Sequence, residues 1–296
     1  MPRTRPVHFM LLLILALVWG SSFILMKRAM YGTGGVTLLS PVQVAALRMA
    51  FAGIALLPFV PTALRKTRPA DWKWLFVVGI CGSGAPAFLF TFAQQHIESS
   101  LAGMLNALTP LFTLLIGLAA FGAHATSRQV AGVLIGLAGA ASLLWMTGIT
   151  GPERLVWPLL VVLATLCYGI SVNTIQFRLS HLSGLQTAAL SMLIVGIPGA
   201  VIAATTGAAG VAAVHADGLQ ALAATFTLGV VGSALANALF FRLTQSTSAL
   251  FSSSVTYLIP LVAVGWGVYD GEPITWRHLV AGLVILAGVW LIRRRR

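Results

Sequence analysis

Charge is the scarcest commodity in this sequence. Only 8% of its 296 residues are Asp, Glu, Lys or Arg, whereas a soluble domain carries about a quarter to cover its surface. Hydrophobic residues make up 58%, so the solvent of this chain is largely lipid. Acids are the rarer sign, six against eighteen Lys and Arg. The resulting +12 does not indicate nucleic acid, because the basic residues stand in short connections and tails between apolar runs. Cysteine is nearly absent. Cys81 and Cys167 both fall inside apolar runs, which excludes a disulfide framework and reads as two buried free thiols. No H-x-x-x-H, C-x-x-C or paired-carboxylate motif occurs. Neither a metal site, nor a cofactor, nor a hydrolytic enzyme is expected.

Long apolar runs are what the chain has instead. A membrane helix needs ~20 mostly apolar residues, and ten windows qualify: roughly 9–29, 41–61, 73–95, 99–121, 127–147, 156–178, 184–206, 219–242, 248–269 and 276–293. Ser40-Pro41 marks a helix start, and the glycines at 32, 34 and 35 and TGITGPE at 147–153 break the chain between runs. Arg3 and Arg5 before the first run imitate a signal peptide, but no A-x-A cleavage site follows, and the run is read as a retained span. Lys and Arg set the orientation. With the N-terminus inside, Arg3, Arg5, Arg65, Lys66, Arg68, Lys73, Arg128, Arg178, Arg242 and the terminal arginines all fall on the inner side. Lys27, Arg28, Arg154 and Arg277 fall outside, together with five of the six acids. Both termini are therefore expected in the cytoplasm, with the last four arginines anchoring the chain beside anionic lipid.

The sequence also repeats itself. Trp19-Gly20-Ser21-Ser22 resembles Tyr168-Gly169-Ile170-Ser171, and QVAALRMAFAGI at 43–54 resembles QTAALSMLIVGI at 186–197. From there an offset of 150 pairs Gly79, Gly82, Ser83 and Phe90 with Gly229, Gly232, Ser233 and Phe240, and Pro110 with Pro260. The expected units are 1–150 and 151–296, five helices each. Five is odd, so the second unit enters the membrane upside down. An inverted repeat is the signature of an alternating-access transporter.

ALVWGSSFILMKRAM, SPVQVAALRMAFAGIALLP, AGMLNALTPLFTLLIG and RQVAGVLIGLAGAASLL, taken in order, resemble EamA-type proteins of the drug/metabolite transporter superfamily over nearly the whole chain. The resemblance implies an all-α integral membrane protein, ten transmembrane helices in two inverted five-helix repeats around a central cavity. It also implies export of small metabolites, often amino acids or their derivatives, from the bacterial cytoplasm. Such proteins carry a glycine–glutamate pair after the fourth and ninth spans. Here the second copy keeps Gly271-Glu272, but the first reads Phe121-Gly122-Ala123.

Polar groups inside the spans are the candidates for substrate binding. Arg48 stands about seven residues into the second span, and a charge there costs at least ~2–3 kcal/mol unless solvated or paired. It either snorkels to the headgroups or holds a carboxylate by a bidentate pair. Its repeat partner is the neutral Ser191. Trp19 and Tyr168 lie mid-span, unlike Trp72, Trp74, Trp157 and Trp276 near span ends. They serve either helix packing or an aromatic substrate wall. Asn106 and Thr256 stand four residues before Pro110 and Pro260. Read as prolines inside helices, these free the preceding carbonyls, making either hinges beside a polar site or simple kinks. Ser22, Asn173, Asn237 and Tyr257 complete the candidate set. No Asp or Glu falls deep within a span, which disfavours a proton relay or a cation pump built on a buried carboxylate.

The expected function is a secondary transporter of the inner membrane exporting small metabolites, most plausibly amino acids. A drug or lipophilic-cation exporter of the same fold is the alternative. A channel-like or lipid-handling protein is the alternative from another class. The expected partners are a small-molecule substrate and membrane lipid, not nucleic acid. Self-association as a homodimer stays open.

Overall fold

A computed structural model describes residues 6–122, 126–146, 152–272 and 275–293. Among these residues the chain is helical, apart from one isolated antiparallel bridge between Tyr31 and Thr37. The apolar runs become α1 (Pro6–Met30), α2 (Pro41–Leu64), α3 (Pro69–Ala93), α4 (Ser99–Phe121), α5 (Ser127–Met146), α6 (Pro152–Arg178), α7 (Gly184–Thr205), α8 (Gly218–Ser246), α9 (Ala249–Tyr269) and α10 (Trp276–Arg293). Eight of them, α1 to α4 and α6 to α9, contain stretches long and apolar enough to cross a membrane. In lipid every backbone polar group must be satisfied within the protein, which is why apolar runs of this length become helices. The protein is a multi-pass membrane protein. In α10 the apolar stretch is shorter, Leu279–Gly288. The terminal arginines at 294–296, Arg3, Arg5, most of the TGITGPE break and Ala123 lie outside the described residues.

Matching sequence words adopt matching local structures. Ser40 caps α2 by accepting from Gln43 N, while Gln43 Oε1 accepts from Ser40 N. Ser183 and Gln186 form the same reciprocal box at the start of α7. Such a box satisfies two of the orphan donors at a helix start. Helices α3 and α8 each slip into a π segment, at Ile80–Gly84 and Val230–Leu235. Helices α4 and α9 are each interrupted. In α4, Ser99–Asn106 is followed by Thr109–Phe121. In α9, Ala249–Ser253 gives way to a tighter turn at Ser254–Tyr257 before Ile259–Tyr269.

The interruptions correct the reading of the two prolines. Pro110 and Pro260 do not stand inside continuous helices; each occupies the first turn of the second piece. There the missing N–H costs nothing, since the first four donors of a helix have no internal partner. The carbonyl of Asn106 is not left free either, because Thr109 Oγ1 donates to it at 2.8 Å.

Packing follows the same pairing. Helix α2 lies along α7, and α5 along α10. Helix α3 packs on α6 as α8 packs on α1, and α4 packs on α6 as α9 packs on α1. Where α2 crosses α7, a Cβ on Gly53 would stand 3.1 Å from Gly196 Cα. Two repeat-matched glycines thus meet face to face, and their lack of side chains lets the backbones touch.

Candidate functional site

A cavity of about 70 Å³ lies where α1, α2, α3, α4, α6, α8 and α9 converge, room for several waters. The interruptions of α4 and α9 bring Asn106, Thr109, Ser253 and Thr256 to its wall, and the two π segments bring Gly82, Ser83 and Gly232. Irregular backbone at membrane depth is tolerated where it lines a cavity, and π segments recur at functional sites.

Arg48 enters from α2. It is half-buried and lies on the cavity wall. Its Nε donates to Ser233 Oγ at 2.8 Å, and its Nη1 lies 3.9 Å from Met26 Sδ. Ser233 Oγ in turn donates to Leu228 O at 3.1 Å, five residues back, as the π register allows. No carboxylate lies within ion-pair distance of Arg48 among the described residues. The residues lining the cavity include no Asp or Glu.

The other walls are aromatic and hydroxylic. Trp19 Nε1 donates to Gly232 O at 2.9 Å, which fixes the indole across α1 and α8, and its ring meets Phe240 edge-on at 5.0 Å. Tyr168 stacks on Phe90 at 6.2 Å, and Phe23 meets Phe90 edge-on. Asn237 Nδ2 donates to Ser83 Oγ at 2.9 Å. The hydroxyl of Ser171, 2% exposed and on the wall, has no hydrogen-bond partner in the protein. A buried hydroxyl without a partner costs stability.

Seven of the sequence candidates therefore converge: Trp19, Ser22, Arg48, Asn106, Tyr168, Asn237 and Thr256 all line the cavity. Two do not. The Asn173 side chain donates at 2.8 Å to both Thr113 O and Gly169 O, tying α6 to α4. Tyr257 packs against the apolar core rather than on the wall. Both residues lie one or two positions from wall residues, and helix azimuth, not depth, turns them away. Several wall residues were legible only as members of repeat pairs: Gly82 with Gly232, Phe90 with Phe240, and Ser83, whose counterpart Ser233 binds Arg48 instead.

The two ends of the helix bundle carry different polar clusters. At one end Lys27 Nζ lies 2.6 Å from Asp270, 3.5 Å from Glu272 and 3.6 Å from Glu98, and Arg28 also pairs with Asp270. Glu272 further accepts from Ser99 N and Ser100 N, at 3.1 Å each, and so caps α4. Burial and the neighbouring Glu272 charge push the Glu98 carboxyl above its usual range. At the other end His181 Nε2 meets Asp71 at 2.9 Å, and Arg178 lies over the rings of Trp74 and Phe121. The start of α9 is capped there by Gln176, whose Oε1 accepts from Ala249 N. The cap on α4 is thus a carboxylate, and the cap on α9 a neutral amide. None of the lock at Lys27 was read from the sequence, because its members come from three separate helix ends.

Comparison with known proteins matches this architecture. The chain is 27% identical over 287 residues to a probable terminal-alkyne amino-acid exporter of Streptantibioticus cattleyicolor, covering 96% of this chain and 92% of the relative. It is 26% identical over 290 residues to the uncharacterized inner membrane transporter YedA of Escherichia coli K12, covering 94% and 88%. A solved crystal structure covers 98% of both chains with a TM-score of 0.64 at 18% identity, a likeness of fold alone. The model of the EamA-like transporter family matches twice, over residues 8–145 and 155–294. A multi-pass helical chain whose two halves each match that model, with an interior cavity between its helices, belongs to the EamA-like transporter family of the drug/metabolite transporter superfamily.

Proposed function

We propose that the protein exports small carboxylate-bearing metabolites, amino acids above all, across the inner membrane of a bacterium. One observation carries this reading: an arginine without an acidic partner on the wall of a cavity that holds no acid. A guanidinium in a low-dielectric site is costly without an anion, and a substrate carboxylate supplies one in bidentate geometry. The same cavity opposes a lipophilic-cation exporter, whose cargo would meet a like charge and no carboxylate. The relative named for exporting an amino acid supports the class of substrate.

Transport proceeds by alternating access between two inverted units, 1–150 and 151–296, of five membrane helices each. The two family matches, the exchange of packing partners between halves and the Gly53–Gly196 contact support this. A residue that touches its own counterpart lies on a twofold axis. The distribution of Lys and Arg supports both termini in the cytoplasm. The Lys27 cluster then closes the outer mouth and the Asp71–His181 contact the inner one. The interruptions before Pro110 and Pro260 serve as hinges.

The test is counterflow in proteoliposomes with labelled amino acids. Saturable exchange in wild type that Arg48→Ala abolishes, while the variant remains folded, is the expected result. Exchange of lipophilic cations in place of amino acids would sink the reading.

A further inference from the structure

The two π segments hold serines that are paired in the sequence repeat, Ser83 in α3 and Ser233 in α8. Both are buried, and each accepts a hydrogen bond from a side chain on the other half of the chain. Ser233 accepts from Arg48 Nε at 2.8 Å, and Ser83 accepts from Asn237 Nδ2 at 2.9 Å. What each bond leaves over is different. On Arg48 the terminal nitrogens remain, with no contact beyond the weak approach to Met26. On Asn237 the amide oxygen remains. Among the described residues Oδ1 accepts from no donor. Unlike the hydroxyl of Ser171, it is not sealed from its surroundings, and Asn237 stands on the cavity wall. The other amide on that wall, Asn106, already accepts at 3.4 Å from Thr109 Oγ1. The cavity therefore has a cationic donor at Arg48 and a free neutral acceptor at Asn237.

We propose that Asn237 makes the site selective for amino acids over other carboxylates, its Oδ1 accepting from the cargo's ammonium while Arg48 holds the carboxylate. The proposal rests on the carboxylate reading of Arg48 given above. An ammonium brings three donors and no acceptor, and leaving it unbonded away from water is costly. The wall includes no Asp or Glu to receive it, so the acceptor has to be neutral. A neutral acceptor also suits the empty cavity. An acid here would compete with the cargo for Arg48, and an amide does not. Ser83 sets the orientation of the amide: with Nδ2 bonded to Ser83, Oδ1 is the end left for the cargo. The rival place for the ammonium is the face of an aromatic ring, Trp19 or Tyr168.

The test is thermal protection of the purified protein at neutral pH by alanine and norvaline and by the same acids without the amino group, propionate and pentanoate. It is run on wild type, Asn237→Leu, Asn237→Ala and Arg48→Met, and the rise of Tm with concentration gives an apparent Kd for each compound. In wild type each amino acid should bind at least about 10-fold more tightly than its deamino analogue. In the Asn237 variants that ratio should collapse, with the Kd of the analogues little changed. Arg48→Met should lose protection by amino acids and analogues alike. The two Asn237 replacements differ in size, so a variant that fails to melt cooperatively leaves the other to decide. A ratio that survives in a folded Asn237 variant would give the ammonium to the aromatic rings and overturn the proposal. Equal weakening of amino acids and analogues would make Asn237 structural and overturn it too. In both cases the loss in Arg48→Met keeps the carboxylate reading intact. Wild type protected by none of the four compounds would refute both readings together.

Discussion

Replacing Arg48 by methionine separates a binding arginine from a structural one, because the two roles predict opposite effects on stability. Methionine keeps an unbranched chain and deletes the charge. The protein loses two contacts, the 2.8 Å bond to Ser233 and the weak approach to Met26 Sδ. Ser233 is not orphaned, since its hydroxyl still donates to Leu228 O. No carboxylate is abandoned. Removing a poorly compensated interior charge is often neutral or stabilising, so Tm in detergent should hold or rise. A charged hydrogen-bond pair to a carboxylate is worth about 1.5–3 kcal/mol, so the half-saturation concentration for amino-acid exchange should rise about 10- to 150-fold. Thermal unfolding and counterflow on the same preparation read both. The reasoning fails if Arg48→Met lowers Tm by more than about 5 °C, a loss of at least ~1 kcal/mol. It fails equally if exchange keeps its wild-type affinity.

Three further expectations concern the frame around the site. Gly196→Ala would place a methyl 3.0 Å from Gly53 Cα and 3.1 Å from Met49 O; overpacking of this kind costs about 1–3 kcal/mol, visible as a lowered Tm, and an unchanged Tm would deny the close α2–α7 crossing. Glu272→Ala removes both the cap on Ser99 and Ser100 and a partner of Lys27. A lost cap costs about 0.5–2 kcal/mol, so maleimide labelling of Ser22→Cys from the Lys27 side should quicken about 2- to 30-fold, and unchanged labelling would show that this cluster does not close the mouth. Glu98 gives the pH dependence. Its carboxyl is held above its usual 4.5 in the closed cluster, by burial and then by Glu272, so closure binds the proton. Closure is fully supported below about 4.5 and loses that support as pH rises through the raised value. The ratio of Ser22→Cys labelling with Glu98 in place to that with Glu98→Gln, which cancels the thiol's own ionisation, should therefore rise as pH climbs above 4.5, and a ratio independent of pH would refute the role of Glu98.

The sequence alone determined the helices. Lipid leaves the backbone no other partner than itself, so apolar runs become helices; the windows match α1 to α10 within a few residues at most ends, and eight of these helices are long and apolar enough to cross a membrane. Repetition was equally legible, because it needs only comparison of the chain with itself. Depth of each polar residue followed from counting along a helix. Azimuth did not. A helix turns 100° per residue, so Asn173, two positions from the wall residue Ser171, points at α4 instead, and no periodicity in an almost uniformly apolar run could mark which face meets the cavity. The prolines were visible, and so was Thr109 as a partner for the freed carbonyl, which it is; that the helices end and restart ahead of both prolines was visible only in the structure. The surroundings of Arg48 and the cluster formed by Lys27 with Glu98, Asp270 and Glu272 were decided by tertiary structure. Each joins residues far apart in the chain, from helices that meet only after packing, and short-range energetics carries no information about which distant groups will share a cavity.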